Sequence, residues 1–370
     1  MQVKIVLILL LIPLLIVTSS CDQSKTEWKG IIEEKDGVII IKNSIEPIYQ
    51  QDIFQLEEEI TIGEREGSEE NMFSSVSDLA VDSSENIYVL DVRDTQIKVY
   101  DKNGTFQRVI GKAGQGPGEF GRPRNIQINS SNELMINDSG SRKLIFYSLQ
   151  GQFVKSINLE KMAFRIYCDS KEQYYAFLYI LDPPNDSKYQ LVKFNADFTN
   201  NTIIAGNLGQ SRFRSDSYVF YRPQIVFQLM ENDYLLYGYP EEYELQVYSP
   251  TGELRKRISR DYIPVLVSKE ARDAVSKGSL PGYKAVSSKY YPAYSDFVAD
   301  DEGRILVRTW EKPLNNIGYI YDVFDSDGKY QTRIPLNFIP QIWEKNKLYS
   351  IEADEDGYQC VKRYKVTWNY

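Results

Sequence analysis

The sequence predicts an all-β protein, a six-bladed β-propeller with four-stranded blades. A strand-sized pattern recurs about six times after residue 75, and turn-forming residues separate the short strands within each copy. Repeats of this length with four strands each are typical of propellers. A further strand-like segment stands before the first copy, and this segment gives the ring a means of closing.

The clearest copy runs from Leu79 to Gly111. Its predicted strands are Leu79–Val81, Ile87–Leu90, Ile97–Tyr100 and Phe106–Ile110. Asp, Ser, Asn and Gly residues lie between these strands, as in Asp101-Lys102-Asn103-Gly104. Such residues favour tight turns, because Asp and Asn side chains bond to the nearby backbone and Gly accepts positive φ.

The other copies follow at similar spacing. They span Ile126–Leu159, Ile166–Gly206, Ile225–Ile258, Phe297–Leu336 and Gln341–Val366. The sixth copy holds only three strands before the chain ends. We expect Ile53–Gly63 to supply the missing fourth strand, which would close the ring and remove two exposed sheet edges.

One long insert, residues 259–293, separates the fourth and fifth copies. Within it, Ser268–Gly278 predicts a short helix, with Ser268 as the N-cap, Glu270 in the first turn and Gly278 as the stop. We expect this insert to lie over the mouth of the central channel.

The N-terminus predicts export. Residues 1–20 contain Lys4, an apolar stretch from Ile5 to Val17, and then small polar residues before Cys21. The apolar stretch is shorter than the roughly 20 residues of a membrane-spanning helix, so a signal peptide is expected. The Thr18-Ser19-Ser20-Cys21 ending resembles a relaxed bacterial lipobox. The alternative is an ordinary signal peptide with an incidental cysteine.

The lipobox resemblance implies cleavage before Cys21 and lipid modification of its sulfur. Residues 21–52 would then form a lipidated tether and residues 53–370 the propeller. The expected location is the bacterial cell envelope, with the membrane contacted only through the lipid. The sequence does not assign the protein to the inner or the outer membrane.

Composition excludes several function classes. The formal net charge is −9 at pH 7, which disfavours nucleic-acid binding, since that needs clustered Lys and Arg. The sequence contains no histidine. Catalytic systems and zinc sites built on His are therefore excluded, and any enzyme reading must use carboxylates, Tyr, Lys, Arg or a metal bound by oxygen atoms.

The segment GKAGQGPGEFGRPRNI, Gly111 to Ile126, joins the first two copies. Together with the Asp/Asn-turn-strand repeats, it resembles the connectors of NHL-type propellers. The chain is similar to the NHL-like six-bladed propeller lipoproteins of bacterial envelopes, with an NHL/TolB-like fold. This resemblance implies a fold and a location, because members of the family lack a shared activity.

Related NHL-like propellers include calcium-dependent lactonases, whose metal is held by Glu and Asn or Asp. The weak candidates for such a site here are Asp78, Asn125, Asp169 and Asp296, which lie near the starts or ends of predicted inner strands and could face the channel. The simpler reading is that they are turn residues. No cofactor is expected under the favoured reading, while a calcium-dependent hydrolase or lactonase in the central channel is the alternative.

In a propeller, the connections between blades and the hairpins between second and third strands share one face, which is the default binding surface. The predicted loops of that face carry several arginines and tyrosines suited to binding. The candidate ligand-binding residues are Arg93, Arg122, Arg124, Arg142, Tyr221, Arg222 and Tyr294. The favoured function is a noncatalytic binding or scaffold module for an envelope protein, peptide or saccharide, with no catalytic residues assigned.

Overall fold

Six sheets, each containing a four-stranded antiparallel blade, form the ring of a β-propeller in this computed structural model. The structure describes residues 27–182, 185–199, 201–208, 217–277 and 284–370. The predicted all-β, six-bladed fold is therefore confirmed. The predicted signal peptide and Cys21 lie outside the described residues.

Each blade is a meander whose first strand lies at the centre of the ring. Three strands precede the first blade: β1 (Ile31–Lys35), β2 (Val38–Asn43) and β3 (Phe54–Ile62). Blade 1 comprises β4 (Val76–Val81), β5 (Ile87–Asp91), β6 (Gln96–Tyr100) and β7 (Phe106–Ile110). Blade 2 comprises β8 (Pro123–Ile128), β9 (Glu133–Asp138), β10 (Lys143–Ser148) and β11 (Phe153–Asn158). Blade 3 comprises β12 (Ala163–Cys168), β13 (Tyr174–Asp182), β14 (Asn185–Phe194) and β15 (Asn201–Leu208).

The second half of the ring carries the insert and the closing blade. After β16 (Ser217–Phe220), blade 4 comprises β17 (Val226–Leu229), a 3-10 turn (Glu231–Asp233), β18 (Leu235–Gly238), β19 (Glu244–Tyr248) and β20 (Leu254–Arg260). The insert holds α1 (Lys269–Lys277) and β21 (Lys284–Ser287). Blade 5 comprises β22 (Asp296–Ala299), β23 (Ile305–Arg308), β24 (Tyr319–Phe324) and β25 (Tyr330–Leu336). Blade 6 comprises β26 (Pro340–Glu344), β27 (Lys347–Ala353) and β28 (Gln359–Trp368), with β3 as its outermost strand.

Aspartates fix the hairpins between the first and second strands of several blades. In each of Asp82, Asp169 and Asp300, one carboxylate oxygen accepts hydrogen bonds from the backbone amides two and four residues later, at 2.8–3.0 Å. This is the Asx turn that the Asp/Asn spacing predicts. The turn sets the register of each hairpin and so places the inner strand.

Glutamine side chains join neighbouring inner strands. Gln127 donates to the carbonyl of Cys168 in the next blade at 3.0 Å and accepts from the same residue's amide at 2.8 Å. Gln228 makes the same pair of bonds to Ala299, at 3.4 and 2.9 Å. The inner strands of different blades are not in one sheet, so these bonds satisfy backbone groups that would otherwise lack partners.

The ring closes through β3, as the sequence predicts. Strand β3 pairs antiparallel with β28 from Phe54↔Trp368 to Ile62↔Val361. Gln359, the first residue of β28, links blade 6 to blade 1, because its amide donates to and accepts from the backbone of Val76 at 3.2 and 2.7 Å. The closing blade is thereby completed by β3 and bonded to the first blade through Gln359.

The structure differs from the prediction of a tether over residues 21–52. Strands β1 and β2 form a hairpin, and β2 pairs in parallel with β20 at the rim of blade 4. Asn43, at the end of β2, is buried and donates to the carbonyls of Ser259 and Gly328 at 3.0 and 2.9 Å. It also accepts from the amide of Tyr330 at 2.8 Å, so these hydrogen bonds bind the hairpin to blades 4 and 5.

The predicted insert helix is present as α1. Ser268 caps it, because its hydroxyl accepts a hydrogen bond from the amide of Ala271 at 3.1 Å. Strand β21 pairs in parallel with β16, which precedes blade 4. The predicted stop, Gly278, lies outside the described residues. Among the helices of the described ranges, none is long and apolar enough to cross a membrane.

Candidate functional site

The six inner strands surround a central channel. Its cavity has a volume of about 720 Å³ and is lined by residues from β4, β8, β12, β17, β22 and β26. This volume lies within the range of small-molecule sites. The channel is therefore large enough for a ligand of one or two sugar rings.

Three charged residues occupy equivalent positions on alternate blades of this channel. In each of these blades, the last residue of the inner strand pairs with the first residue of the second strand, and the charged residue lies three positions before that last residue. The three charged residues are Asp78, Arg165 and Asp296. Blades 1, 3 and 5 supply them. These positions place one guanidinium and two carboxyl groups along the channel, which Arg308 and the carboxyl groups of Asp233, Asp300, Asp301 and Glu344 also line.

Arg165 is exposed to the channel. Its Nη1 donates to the hydroxyl of Tyr167, two residues further along β12, at 3.3 Å. The pKa of Arg165 is raised, first by Tyr167 and further by the carboxylates of Asp78 and Asp296. Arg165 therefore keeps its positive charge at any physiological pH.

The Asp78 carboxyl accepts a hydrogen bond from the amide of Ile126 at 2.8 Å. Burial raises the pKa of Asp78 to about 6, although Arg165 and the backbone amides act in the opposite direction. Asp296 accepts from the amide of Phe297 at 2.9 Å. An oxygen of Asp296 lies 3.7 Å from a nitrogen of Arg308, so Asp296 has its own cation.

The binding face of the propeller is the face that holds the connections between blades and the hairpins between second and third strands; we call it the loop face. On blade 3 this face carries a group of half-buried aromatic rings between two arginines, which we call the blade 3 platform. Its members are Arg124, Phe164, Phe177, Tyr179, Tyr189 and Arg222.

The rings of the blade 3 platform pack against one another. Tyr189 stacks on Phe177 with centroids 5.2 Å apart and rings 20° from parallel. Arg124 lies over Phe164 at 5.4 Å, and Arg222 lies over Tyr189 at 5.7 Å. Two of the predicted ligand-binding arginines are therefore brought to one aromatic surface, where cation–π contact holds each guanidinium.

The platform continues into the channel. Phe177 contacts Phe227 with centroids 6.4 Å apart, and Phe227 meets the edge of Tyr167 at 5.3 Å. Tyr167 in turn receives the hydrogen bond from Arg165. A continuous run of aromatic contacts thus links the loop face to the channel arginine.

A second aromatic group surrounds Tyr221. Tyr291 of the insert lies 4.8 Å from its ring and stacks on Trp310 at 4.3 Å. Tyr221 has a φ of 50°, a left-handed conformation that is uncommon for a bulky residue. The insert therefore reaches the blade 5 loop on this face.

The remaining predicted ligand residues are separate. Arg93, Arg122 and Arg142 are exposed in the loops of blades 1 and 2. Tyr294 requires a correction, because it is fully buried. Its hydroxyl donates to the carbonyl of Glu244 at 3.0 Å, so it belongs to the core.

The four calcium candidates have different surroundings. Asp169 fixes a hairpin turn, and the Asn125 amide donates to the carbonyl of Ile166 and accepts from Asn137. Asp78 and Asp296 remain in the channel, with Arg165 close to both. Among the described residues, no group of three or more Asp, Glu or Cys side chains could hold a metal ion.

Sequence reasoning missed Arg165, Tyr167, Tyr291 and Trp310. Arg165 comes directly before the third predicted copy, which begins at Ile166, whereas strand β12 begins at Ala163. The predicted strand therefore started one residue too late to include Arg165. Asp78 and Asp296 likewise stand directly before their copies, which begin at Leu79 and Phe297, and this shared position is the signal that could have found Arg165.

The sequence model of a protein family described as "Domain of unknown function (DUF4934)" matches residues 66–253. The chain belongs to this family. The matched region runs from before blade 1 to the hairpin that precedes β20 in blade 4. It therefore includes Asp78, Arg165 and the blade 3 platform.

Two solved structures resemble this DUF4934 protein over most of its length. One is a putative exported protein from Bacteroides fragilis, with a TM-score of 0.57, 13% identity, and coverage of 90% of this chain and 100% of that one. The other is a member of the DUF4221 family from Bacteroides vulgatus, with a TM-score of 0.56, 12% identity, and coverage of 86% and 100%. These likenesses concern the fold.

A shorter likeness joins the DUF4934 chain to the protein brain tumor of Drosophila melanogaster. The two are 28% identical over 91 residues, which is 24% of this chain and 9% of the fly protein. The chain therefore spans less than a tenth of that relative.

Proposed function

We propose that this protein is a noncatalytic binding module of the bacterial cell envelope, anchored by lipid on Cys21. It would hold a protein, peptide or saccharide on its loop face. The observation that carries this proposal is the blade 3 platform, where half-buried aromatic rings lie between Arg124 and Arg222. Aromatic and arginine side chains dominate the binding energy of recognition surfaces.

Support for the location comes from two sources. The N-terminal sequence combines an apolar stretch with a cysteine at the expected cleavage position. A protein with a similar fold is described as a putative exported protein. Lipid modification at Cys21 is proposed on the sequence alone.

The binding reading is favoured over a calcium-dependent lactonase. The candidate ligands do not converge, since Asp169 and Asn125 are held in turn and inter-strand hydrogen bonds. The two calcium candidates that line the channel, Asp78 and Asp296, both interact electrostatically with Arg165, and a cation placed between them would be repelled by this guanidinium.

The test is a screen of glycan and peptide arrays with the full chain in detergent. For any ligand that binds, we expect Tyr189→Ala to weaken affinity about tenfold, because it removes the centre of the blade 3 platform. Tyr234→Ala is the matched control, since Tyr234 is an exposed aromatic residue in the hairpin between the first and second strands of blade 4, on the opposite face.

Two results would contradict the proposal. One is equal loss of affinity in the Tyr189→Ala and Tyr234→Ala variants. The other is chemical turnover of the bound molecule by the wild-type protein, which would make the site catalytic.

A further inference from the structure

The channel contains a cation without a matching anion. Among the described residues, no carboxylate forms an ion pair with Arg165, and its guanidinium donates one hydrogen bond, to the hydroxyl of Tyr167. A guanidinium has five N–H donors and no acceptor. Arg165 therefore presents unused donors to the channel, in a geometry suited to two parallel bonds with a carboxylate.

The neighbours of Arg165 limit the charge of its ligand. Asp78 and Asp296 both act electrostatically on Arg165, although neither contacts it. A dianion such as a phosphate monoester would place two negative charges beside two carboxyl groups, and this repulsion favours a ligand with a single negative charge.

The same carboxyl groups favour a hydroxylated ligand. Ionised carboxylates only accept hydrogen bonds, and each has room for about four. Asp78 uses one oxygen for the amide of Ile126, and Asp296 accepts from the amide of Phe297. The remaining lone pairs suit the hydroxyl groups of a sugar, which are donors.

We propose that the channel binds a hydroxylated monocarboxylate with the chemistry of a uronic-acid residue, and that Arg165 holds its carboxylate. The flanking Asp78 and Asp296 accept bonds from its hydroxyls, and Tyr167 positions the guanidinium. The volume of about 720 Å³ accommodates one or two sugar rings.

This inference rests on the proposed binding function and gives it a ligand class. The aromatic contacts from Tyr189 and Phe177 through Phe227 to Tyr167 connect the loop face to the channel. Phe227 is buried, so these contacts are packing between blades 3 and 4, and a uronate reaches Arg165 through the open channel.

Isothermal titration calorimetry on the full chain in detergent tests the ligand class. The probes are D-glucuronate, D-galacturonate, D-glucose and inorganic phosphate at low ionic strength. We expect at least one uronate to bind about tenfold or more tightly than glucose and phosphate. Equal affinity for glucose, tighter binding of phosphate, or no uronate binding at 50 mM, roughly the weak limit of a specific site, would each overturn the inference.

Variants test the role of Arg165. We expect Arg165→Gln to lose about tenfold or more in uronate affinity and Tyr167→Phe to lose less, because the guanidinium stays but loses its phenol partner. Arg255→Gln is the matched control, since Arg255 is exposed in β20, the outer strand of blade 4, away from the channel. Unchanged uronate affinity in both channel variants would overturn the assignment.

The two proposals fail separately. If Tyr189→Ala weakens array ligands while uronates do not bind, the loop-face function stands and the channel inference falls. If uronates bind through Arg165 and Tyr189→Ala has no effect on any ligand, the channel site stands without the platform.

Discussion

Asp78 has the most strongly displaced carboxyl pKa in the channel. Burial raises that pKa to about 6 in the folded protein, against roughly 3.9 in an unfolded chain. Because the folded value is the higher one, the folded state binds the proton more tightly. The stability linked to this proton is present below about pH 4 and is lost as the pH rises through 6.

We therefore expect Asp78→Asn to gain stability relative to the wild type as the pH rises from 4 to 6, with a constant difference above 6. The change in that difference should be about 1–2 kcal/mol, less than the full shift implies, because the side chain is partly solvated by the channel. Urea unfolding at a series of pH values measures it. Asp36→Asn, at an exposed turn, is the control for the general effect of removing one carboxylate.

At the residue scale, the sequence showed which types of side chain the site contains better than it showed the directions in which those side chains point. Tyr294 follows the insert among polar neighbours, yet its ring is buried with Phe297 and Tyr243. In an extended segment a shift of one residue reverses the direction of a side chain. The sequence could not fix that register, so Tyr294 was assigned to the surface while Arg165, in the channel, was missed.

The hairpin of β1 and β2 depends on one buried side chain. Asn43 bonds to blades 4 and 5 and also accepts from the indole N–H of Trp28 at 2.9 Å. We expect Asn43→Ala to cost about 2–4 kcal/mol for the hairpin, because buried backbone groups lose their partners. Hydrogen exchange of residues 31–43 measures it, with Ser44→Ala, at the half-buried residue that follows, as the control.

The outcome that would contradict this prediction is faster exchange across blades 4 and 5 in Asn43→Ala without a larger effect in residues 31–43. Such a result would mean that the hairpin contributes to the whole blade and has no separate opening.

At the element scale, turn chemistry made most strands predictable, because each hairpin is local in sequence. The β1–β2 hairpin was harder to predict from the sequence. All five side chains of β1 are exposed, and the pairing partner of β2 is β20, which is distant in the chain. The alternation of apolar and polar residues is also a poor guide to burial in the central strands. Lys98 is buried between Ile97 and Val99, and its ammonium donates hydrogen bonds to the carbonyls of Glu69 and Met72.

Because β3 closes the ring by pairing with β28, we expect the whole ring to unfold as one cooperative structure. Phe54, in that strand, is buried against Trp368 and Trp343 at 4.8 and 5.9 Å. We expect Phe54→Ala to cost about 3–5 kcal/mol and to lower the far-UV and near-UV circular dichroism midpoints together. Phe153→Ala, at a more exposed ring on blade 2, should cost less than about 1 kcal/mol.

Separate midpoints for the two signals in Phe54→Ala would contradict a single cooperative ring. They would indicate that blade 6 opens while the other blades stay folded.

At the scale of the molecule, the number of blades, the closing strand and the insert all follow from repeats that the sequence displays. The contents of the channel do not, because residues far apart in the chain meet there. Asp78, Arg165 and Asp296 become neighbours only when the ring closes. Their proximity is a property of the ring geometry, and no local pattern encodes it.

The position of the β1–β2 hairpin has a mechanical consequence. It precedes β3 in the chain and holds on to blade 4. Tension applied upstream of Glu27 therefore loads the contact between β2 and β20 before any force reaches the strand that closes the ring. A pull on the N-terminus would therefore separate the two rim strands, β1 and β2, from blade 4 while the ring of the propeller stays closed.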